Sequence, residues 1–108
     1  MDDTTRAAFE RLLDLARSNT GQARRAANFI LAWWNADSLG GFDITELFGQ
    51  DAAIAGDMAT VFGWIAHRSN AVYPEEYRAE IEGLIEAWRP DVWARSTECV
   101  VADSPVSS

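Results

Sequence analysis

Residues 20–43, TGQARRAANFILAWWNADSLGGFD, decide the fold. Thr20 is a residue type that caps helices, its hydroxyl accepting a hydrogen bond from an unpaired first-turn N–H. Beyond it, Ala26, Ala27, Phe29, Ile30, Leu31, Trp33 and Trp34 spread apolar side chains over more than half of a helix circumference. A helix apolar over that much of its surface is central in a bundle, with neighbours on two sides. Asn35, Asp37 and then Gly40–Gly41 end it, because glycine takes the positive φ of a helix terminus at little steric cost.

The flanking segments read as further helices. Upstream, Phe9, Leu12, Leu13 and Ala16 follow the i, i+3, i+4, i+7 spacing of an amphipathic helix. Thr4 or Thr5 is its expected cap, and Ser18–Asn19 its end. Downstream, Asp43 and Glu46 have capping-box spacing with Asp in place of Ser or Thr. Gly49 closes that turn, and Phe42, Leu47 and Phe48 are expected to fold it over the bundle as a lid. A third helix starts near Asp51 and runs to about Arg68, with Ile54, Met58, Val61 and Ile65 on one stripe. Gly56 and Gly63 lie seven apart in it, which predicts a close helix approach to offset their low helix propensity. Pro74 suits the first turn of a fourth helix carrying Tyr77, Ile81, Leu84, Ile85 and Trp88, and Pro90 stops it. Asp91 to Arg95 adds one more turn, burying Val92 or Trp93. The expected architecture is all-α. It is a single compact bundle of four main helices plus one or two short helical turns over residues 1–95, with residues 96–108 as a flexible C-terminal tail.

Composition bounds the function. At 108 residues, 48% of them apolar, the chain is one globular domain. No apolar run approaches the roughly 20 residues that span a bilayer. The start, MDDTTRAAFE, lacks the basic and apolar regions of a secretory signal, so a cytoplasmic location is expected. Lone Cys99 cannot form a disulfide framework, and one Cys with one His cannot furnish an ordinary zinc site; no metal or cofactor is expected. Acidic residues number 17 against nine basic ones, every one of them Arg. Residues 1–25 carry five Arg and four acids, whereas residues 26–67 carry five acids and no base. The rest holds four Arg and eight acids. A negative surface repels nucleic acid and anionic lipid and attracts basic proteins, so the expected partner is a protein with a basic surface.

Catalytic constellations are absent from the sequence. His67 stands at the expected C-terminal end of the third helix, where the dipole favours it, and it has no Glu three positions earlier. Cys99 lacks an activating basic neighbour, and Gly40–Gly41 leads into an Asp-capped turn with no Lys of a phosphate loop. The expectation is a protein that is not an enzyme.

Binding candidates are clearer. Neighbouring helix positions diverge by about 100°, so Trp33 and Trp34 are either both core or one of them is a partly exposed anchor. Trp64 and Trp93 share that choice. Arg24 and Arg25 are either solvated or ion-paired, or they recognise an acidic group through the planar guanidinium fork. Glu76 and Glu80, and Glu82 and Glu86, are four apart, which puts carboxylates about 6 Å apart on one face. That face either is merely solvated or imitates a phosphate track together with Asp37, Asp43, Asp51 and Asp57; Arg78 can neutralise Glu82.

The pattern TGQ-x-RR-x-ANFILAWWNA, then GGFD, then Asp57-Met58-x-Thr60-Val61-Phe62 and Ala87-Trp88-Arg89-Pro90 resembles an uncharacterised small domain family of bacterial, mainly proteobacterial, plasmids and integrated elements. The resemblance covers about residues 7–90. It implies a mobile-element setting and carries no functional residues with it. Small, acidic, lysine-poor helical proteins of such elements are similar as a class to inhibitors of host defence, anti-CRISPR proteins among them. The expected function is therefore a non-enzymatic interaction protein that docks on a basic nucleic-acid-handling surface and blocks it. Asp37, Asp43, Asp51, Glu75, Glu76, Glu82 and Glu86 are the expected contacts, with Trp34 and Trp64 as anchors. The alternative is a homo-oligomeric structural or accessory module.

Overall fold

The computed structural model describes residues 1–95. The expected tail, residues 96–108 with Cys99, lies outside the described residues. Four helices form the frame: α1 (Asp3–Ala16), α2 (Gly21–Leu39), α3 (Ala52–Ala66) and α4 (Arg78–Trp88). One-turn 3-10 segments at Ile44–Leu47 and Glu75–Tyr77 precede α3 and α4, and residues 90–95 add a last helical turn. The all-α reading therefore holds, with the short turns expected at 43–49 and 91–95 and a further one at Glu75–Tyr77.

Caps account for most of the helix boundaries. Thr20 caps α2 by accepting from the Ala23 amide at 3.1 Å, and Asp51 caps α3 by accepting from Ala53 at 3.0 Å. In α1 the cap is Asp2 rather than Thr4 or Thr5: its Oδ1 accepts from the Thr5 amide at 2.7 Å. The helix starts earlier than the apolar stripe implies, so Thr5 falls inside the first turn, where it is buried. The Thr5 amide, and then its hydroxyl, hold the Asp2 carboxyl below its ordinary value of 3.8. Bonds from the Thr45 hydroxyl, and then its amide, do the same for Asp43. A carboxyl depressed on folding stabilises the fold above its unfolded pKa, and that contribution is lost as pH falls through the folded value. Thermal melts should thus be flat near neutrality and fall below about pH 4, with Asp2→Asn, which keeps the cap but not the proton, flattening the acid limb.

α2 is interrupted at Asn35, whose φ of −167° and ψ of 86° are extended. The Asn35 Oδ1 accepts from the Ser38 amide at 3.3 Å, restarting a short helical turn that swings Leu39 into the core. Gly40, at φ 94°, then takes the chain away in a conformation that L side chains rarely adopt.

The core runs through all four helices. Phe9 and Leu12 of α1, Ile30 and Leu31 of α2, Met58 and Val61 of α3, and Ile81 and Leu84 of α4 are almost wholly buried. Each such side chain contributes roughly 1.5–3 kcal/mol relative to exposure. α1 and α2 form the central hairpin; α3 docks on α1, and α4 docks mainly on α2. α2 and α3 flank α1 without packing along one another, so the ring of helices is open on that side. The expected close approach at Gly56 and Gly63 is not found: a Cβ at either would meet nothing within 4 Å. α3 makes its tight contact through Met58 and Val61, on a different face.

A candidate binding cleft and its acidic surroundings

Where α2 and α3 part, an apolar cleft of about 500 Å³ opens to solvent. Phe29, Ala32 and Trp33 of α2 form one wall, and Met58, Ala59 and Phe62 of α3 the other. Phe42, Ile44 and Leu47 cover one end. The predicted lid is therefore present in part. Phe42 and Leu47 pack against the core, with the Phe42 ring edge-on to Phe29 at 5.4 Å, but Phe48 points away and is 80% exposed. Ile44 at 69% and Phe62 at 61% exposure leave apolar surface on the rim.

Long-range polar contacts hold the lid turn. Glu46 does not reach back to close a capping box; it lies 2.6 Å from Arg25 Nε and 3.6 Å from Arg24. The Arg25 N–H is aimed off the oxygen, so this is an ion pair rather than an aligned hydrogen bond. Arg25 also donates to the Gly49 carbonyl at 3.3 Å, and the Asp51 amide donates to Gln22 Oε1 at 3.0 Å. Arg24 and Arg25 thus serve the fold, in line with the ion-paired alternative. Gln50 is the weak point. Both polar atoms of its amide are buried without a partner among the described residues. An unsatisfied buried group costs roughly 1–3 kcal/mol, so Gln50→Met, of similar shape, should raise stability by about 1 kcal/mol in urea denaturation.

The tryptophans divide between packing and capping by cations. Trp33 donates to the Val72 carbonyl at 2.8 Å and meets Phe9 at 5.6 Å and Trp64 at 6.2 Å. Trp34 and Trp64 are half-buried, each under a guanidinium of its own chain: Arg78 lies 5.0 Å from the Trp34 ring and Arg68 lies 4.5 Å from Trp64. As partner anchors, both would have to displace these arginines.

The expected acidic contacts fall on separate elements and differ in freedom. Asp43 and Asp51 are exposed caps whose carboxylates accept backbone N–H groups. On the α4 side, Glu75 pairs with Arg78 at 2.8 Å and Glu76 with Arg6 at 2.8 Å, while Glu82 lies 3.9 Å from Arg78. Asp57 is held by a two-pronged contact from Arg11. Asp37 and Glu86 are exposed and make no ion pair among the described residues. A continuous phosphate-like track along α4 is thus broken by arginines.

His67 caps α3, exposed, with its Nδ1–H donating to the Gly63 carbonyl at 2.7 Å. Among the described residues no group of three or more His, Cys, Asp or Glu could hold a metal ion, and no helix is long and apolar enough to cross a membrane. Apolar period alone does not reveal the cleft. Its signal lay in α3, AAIAGDMATVFGWIA, which is apolar well beyond the one stripe needed for α1.

Residues 6–89 match the profile of a family of unknown function, DUF7673. No curated protein matches the chain. No solved structure matches it.

Proposed function

The chain belongs to this family of unknown function, and we propose that it is a small acidic interaction protein that binds a basic protein surface. One observation carries the reading. Every arginine from Arg6 to Arg89 is engaged within the chain, by carboxylates, carbonyls or aromatic rings. The surplus of acids behind the formal charge of −8 is matched by no free cation among Arg6 to Arg89, so the outward field is negative. Asp37 and Glu86 contribute to it without internal compensation, and Asp43 and Asp51 add exposed carboxylates. A non-enzymatic role is supported by His67, which serves a helix end. In the mobile-element setting that the sequence resemblance implies, the basic target is a nucleic-acid-handling defence complex and the activity is its inhibition, as in anti-CRISPR proteins.

The test is competition. Purified basic nucleic-acid-binding complexes are titrated with the protein between about 50 and 300 mM salt, with and without duplex DNA. Binding should weaken at least tenfold over that range, DNA should compete, and Asp37→Asn with Glu86→Gln should weaken it further. Salt-independent binding, or none to any basic complex, overturns the reading. The exposed Ile44, Phe48 and Phe62 favour one second reading, a homo-oligomeric module. Sedimentation as a strict monomer at micromolar concentration removes it.

A further inference from the structure

We propose that the cleft between α2 and α3 receives an amphipathic, cationic α-helix of the partner protein. This rests on the reading of the chain as a binder of basic proteins and names the part of the partner it takes. The cleft lies where the ring of helices is left open, bounded by a helix on each side. From Met58 to Ile65 the α3 wall runs about 10 Å, two helical turns, which matches apolar anchors at i, i+3 or i+4, and i+7 of an incoming helix.

Charge selects among occupants. Every residue lining the cleft falls between Phe29 and Ile65, inside the stretch 26–67 that contains five acids and no basic residue. Of those acids, Glu46 is neutralised by Arg24 and Arg25, and Asp57 by Arg11. Among the described residues Asp37, Asp43 and Asp51 remain exposed and without a basic partner, and Asp43 stands between the lining residues Phe42 and Ile44. A helix with Lys or Arg flanking its apolar stripe would meet apolar walls with apolar residues and the Asp43 carboxylate with a cation, in the field of a chain of formal charge −8. A second copy would carry the same formal charge of −8, so like charges would oppose its approach. A small molecule would find nothing to orient it, because side chains of the cleft walls are apolar and specific ligand sites place a few polar groups among such walls.

The probe is a displayed library of random 16-residue peptides, selected on the full-length protein. Enriched sequences should carry an apolar stripe of helical period and a net charge of about +3 or more. Their affinity should fall at least tenfold with Phe62→Asp and with Ala59→Asp, both at exposed positions. These variants add negative charge while removing apolar wall, so attraction by charge alone predicts tighter binding. If both variants bind more tightly, or stripe-scrambled peptides of the same composition bind equally, the cleft inference falls and the reading as a basic-surface binder stands. Enrichment of acidic or neutral peptides overturns the inference too, as does a sedimenting dimer split by Phe62→Asp. Absence of any cationic peptide overturns both. Unchanged melting curves for the two variants separate these outcomes from loss of fold.

Discussion

Phe9→Ala is expected to lower folding stability by about 3–5 kcal/mol, the largest single loss in this chain. Phe9 is fully buried on α1. Its ring meets Trp33 of α2 edge-on at 5.6 Å and Tyr77, just before α4, at 5.1 Å. Truncation thus removes transfer free energy, leaves a cavity and breaks two aromatic pairs that join separate elements. Domains of this size are stable by roughly 5–15 kcal/mol, so the variant should show a melting temperature lower by more than 10 °C, or a populated unfolded state. The control is Phe62→Ala. An exposed side chain has little transfer free energy to lose, and the change should stay within about 0.5 kcal/mol. Equal losses at both positions in urea denaturation would refute the assignment of core and cleft.

The second large effect is at Arg89. Its guanidinium donates from Nε to the Leu39 carbonyl at 2.8 Å, from Nη1 to the Trp88 carbonyl at 3.0 Å, and from Nη2 to Asn28 Oδ1 at 2.7 Å. It therefore satisfies carbonyls at the ends of two helices and ties α4 to α2. Removing it leaves acceptors in a half-buried site without a donor, a cost greater than the net worth of the bonds themselves. Arg89→Ala should cost about 2–3 kcal/mol. Arg89→Lys should recover less than half of that, because a compact ammonium cannot serve three acceptors spread around a planar fork. Full rescue by Lys would mean that charge, rather than geometry, holds this junction.

These two residues show what the sequence made legible. The burial of Phe9, Ile30, Met58 and Ile81 follows from apolar period alone, and Thr20, Asp43 and Asp51 cap the segments that their side-chain chemistry selects. Period says which stripe is buried, however, not which helix buries it. It could not distinguish a closed ring from the open arrangement in which α2 and α3 part, and the apolar surplus of α3 was the remaining trace. Arg89 and Asn28 are 61 positions apart, and Arg25 and Gly49 are 24 apart. Pairings set by tertiary folding leave no local spacing, so Arg6 on Glu76 and Arg11 on Asp57 could not be read from the sequence, whereas Arg78 breaks the acidic track through a local spacing that could. Asp2 caps α1 from a position ahead of the apolar stripe, so the period alone points to Thr4 or Thr5 instead.

The docking of α3 and α4 on different members of the central hairpin has a kinetic consequence. Backbone amides exchange with solvent through partial openings, and units with few mutual contacts open separately. α3 is held chiefly by α1, and the Arg11–Asp57 contact between them is exposed to water on the arginine side. Its amides should exchange as a cooperative group, at a lower opening free energy than those of α1 and α2 near Leu12 and Ile30. Each such opening would take away one wall of the cleft while the hairpin and α4 stayed folded. The lifetime of any bound segment would then be limited by the breathing of one helix rather than by unfolding of the molecule.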